Sequence, residues 1–181
     1  MKRKIYYTLL ILSFLLIFSC VSTDVYTIVD ENLISADKTS FLVQANLQDK
    51  KLNLALEEAF ATSLEEQGFI CLLYDELFPP INDYDYDHVK SIIDERGIEI
   101  VITVDLLDSD SDVRIGGGYT TGVYSVTELI AFYEVTFYDW GLDKNVLVTQ
   151  VRSSSDTLGW KGINAAAARK AVSEYIKYIS N

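Results

Sequence analysis

Few of the 181 residues carry side chains whose type and spacing could support chemistry. The chain has a single histidine, His88, and two cysteines, Cys20 and Cys71. A Ser-His-Asp set or a zinc cluster needs several such groups in one place, and a single histidine does not compose either. Cys71 lies in the apolar run FICLLY, where a thiol packs as a small hydrophobic group. The sequence therefore predicts a protein that is not an enzyme and that needs no cofactor.

Three carboxylates alternate with serines in the segment DSDSD. Asp108, Asp110 and Asp112 resemble the start of a calcium loop. An EF-hand needs glycine at loop position 6 and a bidentate glutamate at position 12. This chain has Val113 and Tyr119 at those positions. Oxygen ligands in a flexible loop could still hold calcium weakly, and a solvated hairpin is the favoured alternative.

A tyrosine-rich acidic stretch, NDYDYDH, occupies residues 82–88. Exposed tyrosines offer a large contact area and are enriched at recognition surfaces. The predicted interaction patch consists of Tyr84, Tyr86, His88, Tyr119 and Tyr124. The alternative is a tyrosine-rich loop that packs against its own domain.

The N-terminus has the parts of an export signal. Basic residues occupy positions 2–4, and residues 8–18 are almost wholly apolar, with Ser13 as a break. This run is shorter than the roughly 20 apolar residues of a transmembrane helix, and it suits a signal peptide. The tetrapeptide Ile17-Phe18-Ser19-Cys20 resembles the lipobox read by lipoprotein signal peptidase. That resemblance implies cleavage after residue 19 and a covalent lipid, such as palmitate, on Cys20.

An ordinary secretory signal cut after Ser19, or an uncleaved anchor, is the alternative. If Cys20 is acylated, no aspartate follows it to retain the chain in the inner membrane, since Val21 and Ser22 stand there. The expected location is therefore the bacterial cell envelope, at the outer membrane and facing the periplasm.

The charge balance narrows the range of partners. The full chain has a net charge of −12, and the leader holds three basic residues and no acidic ones, so the mature chain has −15. A surface this acidic repels nucleic acid and anionic headgroups. We expect contact with the membrane through the lipid, an envelope protein or a second copy as partner, and no nucleic acid.

Hydrophobic periodicity predicts the order β-α-β-α-β, then an antiparallel meander, then a helix. The predicted strands cover residues 40–45, 69–74, 98–107, 124–140 and 145–154, and the predicted helices cover 49–67, 88–96 and 164–179. Asp49 and Asp87 are the expected caps of the first two helices, and Gly68 and Gly97 are their expected ends. A long mobile connection is predicted over residues 108–122.

These elements predict an α/β (α+β) fold, with one mixed sheet and a C-terminal helix packed on it. The expected organisation is a signal peptide over 1–19, a lipidated tether over 20–39 and a single domain over 40–181. A short strand at 25–29 within the tether is a further alternative.

This order, behind a lipobox, resembles a group of small envelope lipoprotein domains. The group includes the curli secretion channel lipoprotein, the lipoprotein activator of penicillin-binding proteins and the N-terminal domain of the Tol–Pal propeller protein. The similar segments are GIEIVITVDLLDS (97–109), GGGYTTG (116–122), FYEVTFYDWGLDKNVLVTQ (132–150) and AAAARKAVSEYIKYI (165–179). The resemblance implies a non-catalytic accessory or assembly factor that contacts other envelope proteins. A calcium- or small-ligand-binding lipoprotein is the alternative.

Overall fold

The computed structural model describes residues 21–118, 122–155 and 159–180, with side chains described outside 111–127. Its strands are β1 (Ser22–Val29), β2 (Ser40–Asn46), β3 (Ile70–Leu73), β4 (Ile100–Gly118), β5 (Gly122–Asp139) and β6 (Lys144–Ser155). Its helices are α1 (Lys50–Glu65), α2 (Tyr74–Leu77), α3 (Tyr86–Arg96) and α4 (Gly159–Ile179).

The strands form one mixed sheet in the order β1-β6-β5-β4-β2-β3. β2 pairs in parallel with β3 and β4, because α1 and then α3 carry the chain back between them. β4, β5, β6 and β1 pair antiparallel in turn. The predicted fold class, a mixed sheet with a meander and a closing helix, is confirmed.

The main hydrophobic core lies between one face of the sheet, called here the covered face, and the helices α1 and α4. Alternate residues of each strand point towards it, as the pleat requires. Its largest fully buried side chains include Phe41, Phe60, Tyr133, Phe137 and Tyr175. The rings of Phe137 and Tyr175 stack with centroids 4.9 Å apart, which joins α4 to the centre of the sheet.

The opposite face of the sheet is covered over only part of its width. Leu42 of β2 and Val101 of β4 pack there against Phe78, Ile93 and Ile98, from α3 and the segments around it. β2 is thus apolar on both faces over 41–43, which explains why these three consecutive residues are buried. Over β6 and β1 this face carries no helix in the described part of the chain, and it is called here the open face.

The helix boundaries follow local chemistry, with one correction. Asp49 caps α1 by accepting the backbone N–H groups of Lys51 and Leu52. Gly68 and Gly97 follow α1 and α3 with φ of +87° and +65°, a conformation in which glycine carries no steric penalty.

Asp87 is not the cap of α3, as the sequence predicted. Asp85 accepts the backbone N–H of His88 at 2.8 Å, so the helix begins two residues earlier than expected.

The predicted mobile connection over 108–122 is wrong. β4 continues to Gly118 and β5 begins at Gly122, so most of this segment is paired strand. The aspartate–serine alternation has the period of 2 that a strand requires, but its polarity resembles that of a loop. A bulge at Leu107, between Leu106 and Asp108, shifts the register where the hairpin leaves the core.

The short strand considered at 25–29 is present and longer than expected. β1 pairs with β6 from Ser22↔Ser154 to Val29↔Leu147. The sheet therefore includes residues that the sequence assigns to the tether.

Two buried tyrosines differ in their hydrogen bonding and give a matched test. The hydroxyl of Tyr133 donates to Asn164 Oδ1 at 2.7 Å, whereas that of Tyr175 has no hydrogen-bond partner among the described residues. We expect Tyr133→Phe to lower the free energy of unfolding by about 1–3 kcal/mol, because it strands a buried amide. Tyr175→Phe should leave it unchanged or raise it, since it removes an unpaired buried hydroxyl. Urea unfolding of both variants measures the contrast, and equal losses would contradict it.

Candidate interaction surface

The sheet edge formed by β1 is held in place through its covered side. Thr23 and Thr27 lie opposite Ser153 and Thr149, with hydroxyl–hydroxyl distances of 3.3 Å and 2.9 Å. Val25 and Val29 pack against the main core on the same side. These contacts set the register and therefore place Asp24, Tyr26 and Ile28 on the open face.

The open face of β1 presents large apolar side chains to solvent. Tyr26 is 66% exposed and Ile28 is 61% exposed. Lone exposed apolar residues are common, but here they sit side by side on an edge strand. The other edge of β1 has no strand beside it in the described sheet, so its backbone groups are available for pairing.

A shallow cavity of about 250 Å³ lies beside Tyr26 on the open face. The guanidinium of Arg152 is 5.6 Å from the ring centroid of Phe132 and 3.6 Å from a carboxylate oxygen of Asp24. Leu107, 54% exposed at the bulge, also lines the cavity. The surface combines an aromatic floor with one cation and one anion, which is typical of protein recognition surfaces.

The sequence-predicted interaction patch is only partly assembled. The ring of Tyr84 stacks on His88 with centroids 5.5 Å apart and meets Phe78 edge-on at 5.4 Å, so Tyr84 packs against its own domain. His88 is exposed, and Tyr86 is 69% exposed beside this cluster. Tyr84 therefore packs against its own domain, whereas Tyr86 and His88 keep exposed side chains.

Tyr124, another member of the predicted patch, lies far from this cluster. The backbone of Tyr124 pairs with Gly116 near the end of the β4–β5 hairpin. Along β5 it is fourteen residues from Tyr138, which packs near Tyr84. At about 3.3 Å per residue, this separation is about 46 Å. The side chain of Tyr124 and all of Tyr119 lie outside the described residues.

The predicted calcium ligands stand on an extended strand. Asp108 and Asp110 are opposite Phe132 and Ile130 in β4–β5 pairing, and the side chain of Asp112 is outside the described part. Alternate residues of a strand are about 6.6 Å apart, whereas calcium ligands must converge within about 2.6 Å of one ion. No group of three His, Cys, Asp or Glu side chains suited to a metal occurs among the described residues.

The carboxylate of Glu57 on α1 is fully buried. It accepts the backbone N–H of Ala45 at 3.0 Å and that of Asp75 at 3.3 Å, tying the end of β2 to the start of α2. Burial raises its pKa to about 7 against these two bonds, and the charges of Asp75 and Glu76 act in the same direction as burial. Burial also raises the pKa of Cys71 to about 12, so its thiol stays protonated at neutral pH.

Glu57 makes stability depend on pH. Its folded-state pKa of about 7 lies above the ordinary 4.5, so its contribution is complete below pH 4.5 and is lost as pH rises through 7. Relative to Glu57→Gln, we expect the wild type to lose about 3 kcal/mol of unfolding free energy over that interval. Chemical denaturation at stepped pH measures the difference. Glu58→Gln, an exposed neighbour, is the control, and parallel curves for wild type and Glu57→Gln would contradict the expectation.

The lipidation residue Cys20 and the signal peptide over 1–19 lie outside the described residues. Within the described chain, no helix combines the length and apolar character needed to cross a membrane.

The chain matches no protein-family model, and no curated protein matches it in sequence. It is similar in structure to the PelC dodecamer from Paraburkholderia phytofirmans, with a TM-score of 0.55, 10% identity, and coverage of 85% of this chain and 97% of that chain. A variant of the same PelC gives a TM-score of 0.56, 11% identity, and coverage of 85% and 98%. The likeness shows the fold alone.

Lipoprotein GNA1162 from Neisseria meningitidis is a weaker structural neighbour, with a TM-score of 0.47 and 13% identity, covering 79% of this chain and 99% of that one. The resemblance to the curli, penicillin-binding-protein activator and Tol group stays a prediction.

Sequence reasoning missed the open face. Its signal was the run VYTIV in β1, which is apolar at consecutive positions rather than at alternate ones. A strand with apolar residues on both sides is typical of one that is contacted on both sides. The surrounding polar residues hid this pattern.

Proposed function

We propose that this chain is a lipid-anchored, non-catalytic protein of the bacterial cell envelope that works as an accessory or assembly factor through protein contacts. The observation that carries the proposal is the open face beside an unpaired edge strand, with Tyr26 and Ile28 both more than 60% exposed. The lipobox-like tetrapeptide before β1 supports the anchor. An outer-membrane location facing the periplasm is part of this proposal.

A second copy of this chain is the first partner to test. PelC, which has a similar fold, forms a dodecamer. An edge strand can pair with another edge by backbone hydrogen bonds, and neighbouring apolar side chains add specificity. Asp24 and Arg152 on the same face could exchange ion pairs with the equivalent residues of another copy.

The test is a substitution that removes the apolar surface without touching the core. We expect Tyr26→Asp and Ile28→Asp each to weaken self-association at least about tenfold, because a carboxylate would be desolvated in the contact. Light scattering of the full-length protein in detergent, together with crosslinking in intact envelopes, measures the assembled fraction.

Ile70→Asp is the matched control, because Ile70 is 63% exposed on β3 at the opposite edge of the sheet. It should leave the assembly intact. A wild-type chain that stays monomeric and crosslinks to no envelope protein would refute the proposed role. If all three variants lose assembly alike, the open face is not the surface through which the protein assembles.

A further inference from the structure

The anchor and the folded sheet are almost directly joined. β1 begins at Ser22, two residues after Cys20. Two residues of chain span at most about 7 Å. If Cys20 is acylated, as the proposed function holds, the Ser22 end of β1 must therefore lie against the membrane surface. The inference below rests on that proposed function.

The register shows which other strands reach this end of the sheet. Ser22 is opposite Ser154 of β6, and Ser154 is opposite Ile130 of β5. β6 ends at Ser155, opposite Leu129, while the β4–β5 hairpin continues in the direction that leads from Ser22 back towards Cys20. The paired strands beyond this point, residues 113–118 and 122–127, are called here the arm.

The arm extends beyond Ser22 by more than the two residues between Ser22 and Cys20 can span. β1 and β5 run in the same direction, and Ser22 and Ile130 lie at the same level because both are opposite Ser154. Glu128, two residues before Ile130, therefore marks how far the two residues before Ser22 can reach. From Glu128 to Gly122 is six residues, or about 20 Å at the rise of a strand. A sheet held at the membrane by Cys20 therefore brings the arm to the lipid.

The charge pattern changes at the same level. Asp112 and Glu128 are register partners, and they are the last acidic residues before the arm. The arm sequences, VRIGGG and GVYSVT, hold no acidic residue and one arginine. The arm therefore has a net charge of +1, and the rest of the mature chain has a net charge one unit more negative than the −15 of the whole. Acidic residues thus stop where the anchor would meet the membrane.

We propose that the arm enters the lipid headgroup region beside the acyl chains of Cys20. Tyrosine is enriched at this interface, valine and isoleucine are tolerated beside lipid, and arginine side chains in general can extend to lipid phosphates. Each arm strand pairs only with the other in the described structure, so the outer edges of the arm keep polar backbone groups that need water. The arm therefore lies in the interface and does not extend through the hydrocarbon.

Spin-label accessibility tests this placement in the full-length acylated protein. Val123→Cys and Ser125→Cys are labelled in turn with a nitroxide, each with Cys71→Ser, and reconstituted through the natural lipid into phosphatidylethanolamine–phosphatidylglycerol vesicles. Asp83→Cys, in an exposed loop, is the control. We expect arm labels to lose relaxation by a water-soluble nickel chelate and to gain relaxation by oxygen, relative to Asp83→Cys.

Nickel relaxation equal to that at Asp83 would overturn the proposal, because the arm would then stand in water. Low relaxation by both nickel and oxygen would overturn it as well, since a protein contact excludes both reagents. Two arm sites keep the test decisive if one label perturbs the hairpin, and circular dichroism identifies such a variant. A chain that lacks the acyl mass, or that washes off vesicles, contradicts the proposed function instead.

Discussion

Replacing Cys20 with alanine, in a chain exported behind an ordinary secretory leader, is expected to move the protein from the membrane fraction to the soluble periplasm. The thiol at position 20 is where the lipobox-like tetrapeptide would place a diacylglycerol. Each buried methylene of an acyl chain contributes about 0.8 kcal/mol to membrane binding. Loss of the whole lipid therefore removes more binding free energy than contacts of the protein surface supply. Without residues 1–19 the chain would have a net charge of −15, which adds repulsion from anionic lipid.

Cys71→Ala is the matched control for this experiment, because it removes the other cysteine of the chain. It should keep both the acyl mass and the membrane location, since Cys71 is the half-buried thiol of β3. Mass spectrometry of the mature chain and fractionation of envelopes give the two readouts. An unmodified wild-type Cys20 would rule out the lipid anchor, and a Cys20→Ala chain still held by the membrane would show that other contacts suffice to hold it.

Lys38→Met is expected to cause the largest loss of stability among the surface charge changes considered. Lys38 Nζ lies 3.4 Å from Asp139 Oδ2, and the Asp139 side chain is only 1% exposed. Methionine keeps the aliphatic stem but leaves a buried carboxylate without its cation. Breaking a buried pair from one side costs about 3–5 kcal/mol, because the desolvated charge remains.

A pair whose carboxylate has a second cation gives the contrast. Lys170 lies 3.2 Å from Glu174, where the two side chains are 37% and 12% exposed and Lys177 is a second cation at 3.7 Å. Lys170→Met should therefore cost less than about 1 kcal/mol. Guanidinium unfolding measures both variants, and similar losses would contradict the account.

A double variant tests whether the loss comes from the stranded charge. Asp139 Oδ1 accepts the backbone N–H of Leu142 at 2.9 Å, and an asparagine can keep that bond. Adding Asp139→Asn to Lys38→Met should therefore recover part of the loss, because no buried charge remains. No recovery would indicate that Lys38 acts through packing.

The sequence by itself determined the elements with strong local signals. Asp49 before an amphipathic run, and Gly68 after it, defined α1 to within two residues. The β-branched segment 100–104 identified the strand that forms parallel and antiparallel pairs at the centre of the sheet. Periods of 3.6 and 2 are properties of the chain alone, so they predict helices, strands and the order of the fold.

Tertiary structure decided what local patterns leave open. Asp108 to Gly118 resembles a loop in composition, and only pairing with β5 makes it a strand. β1 becomes part of the sheet because Thr23 and Thr27 contact Ser153 and Thr149, which are more than 120 residues away in the chain. Such partners are set by the register of distant strands, which no local window contains.

The interaction surface and the anchor divide in the same way. Cys20 is read from four adjacent residues, so the sequence alone predicts its lipid. The open face depends on which side of β1 the helices cover, and the position of the arm depends on β1, β6 and β5 sharing one register. Those relations exist only once the strands have paired, because they join residues that are remote in the chain.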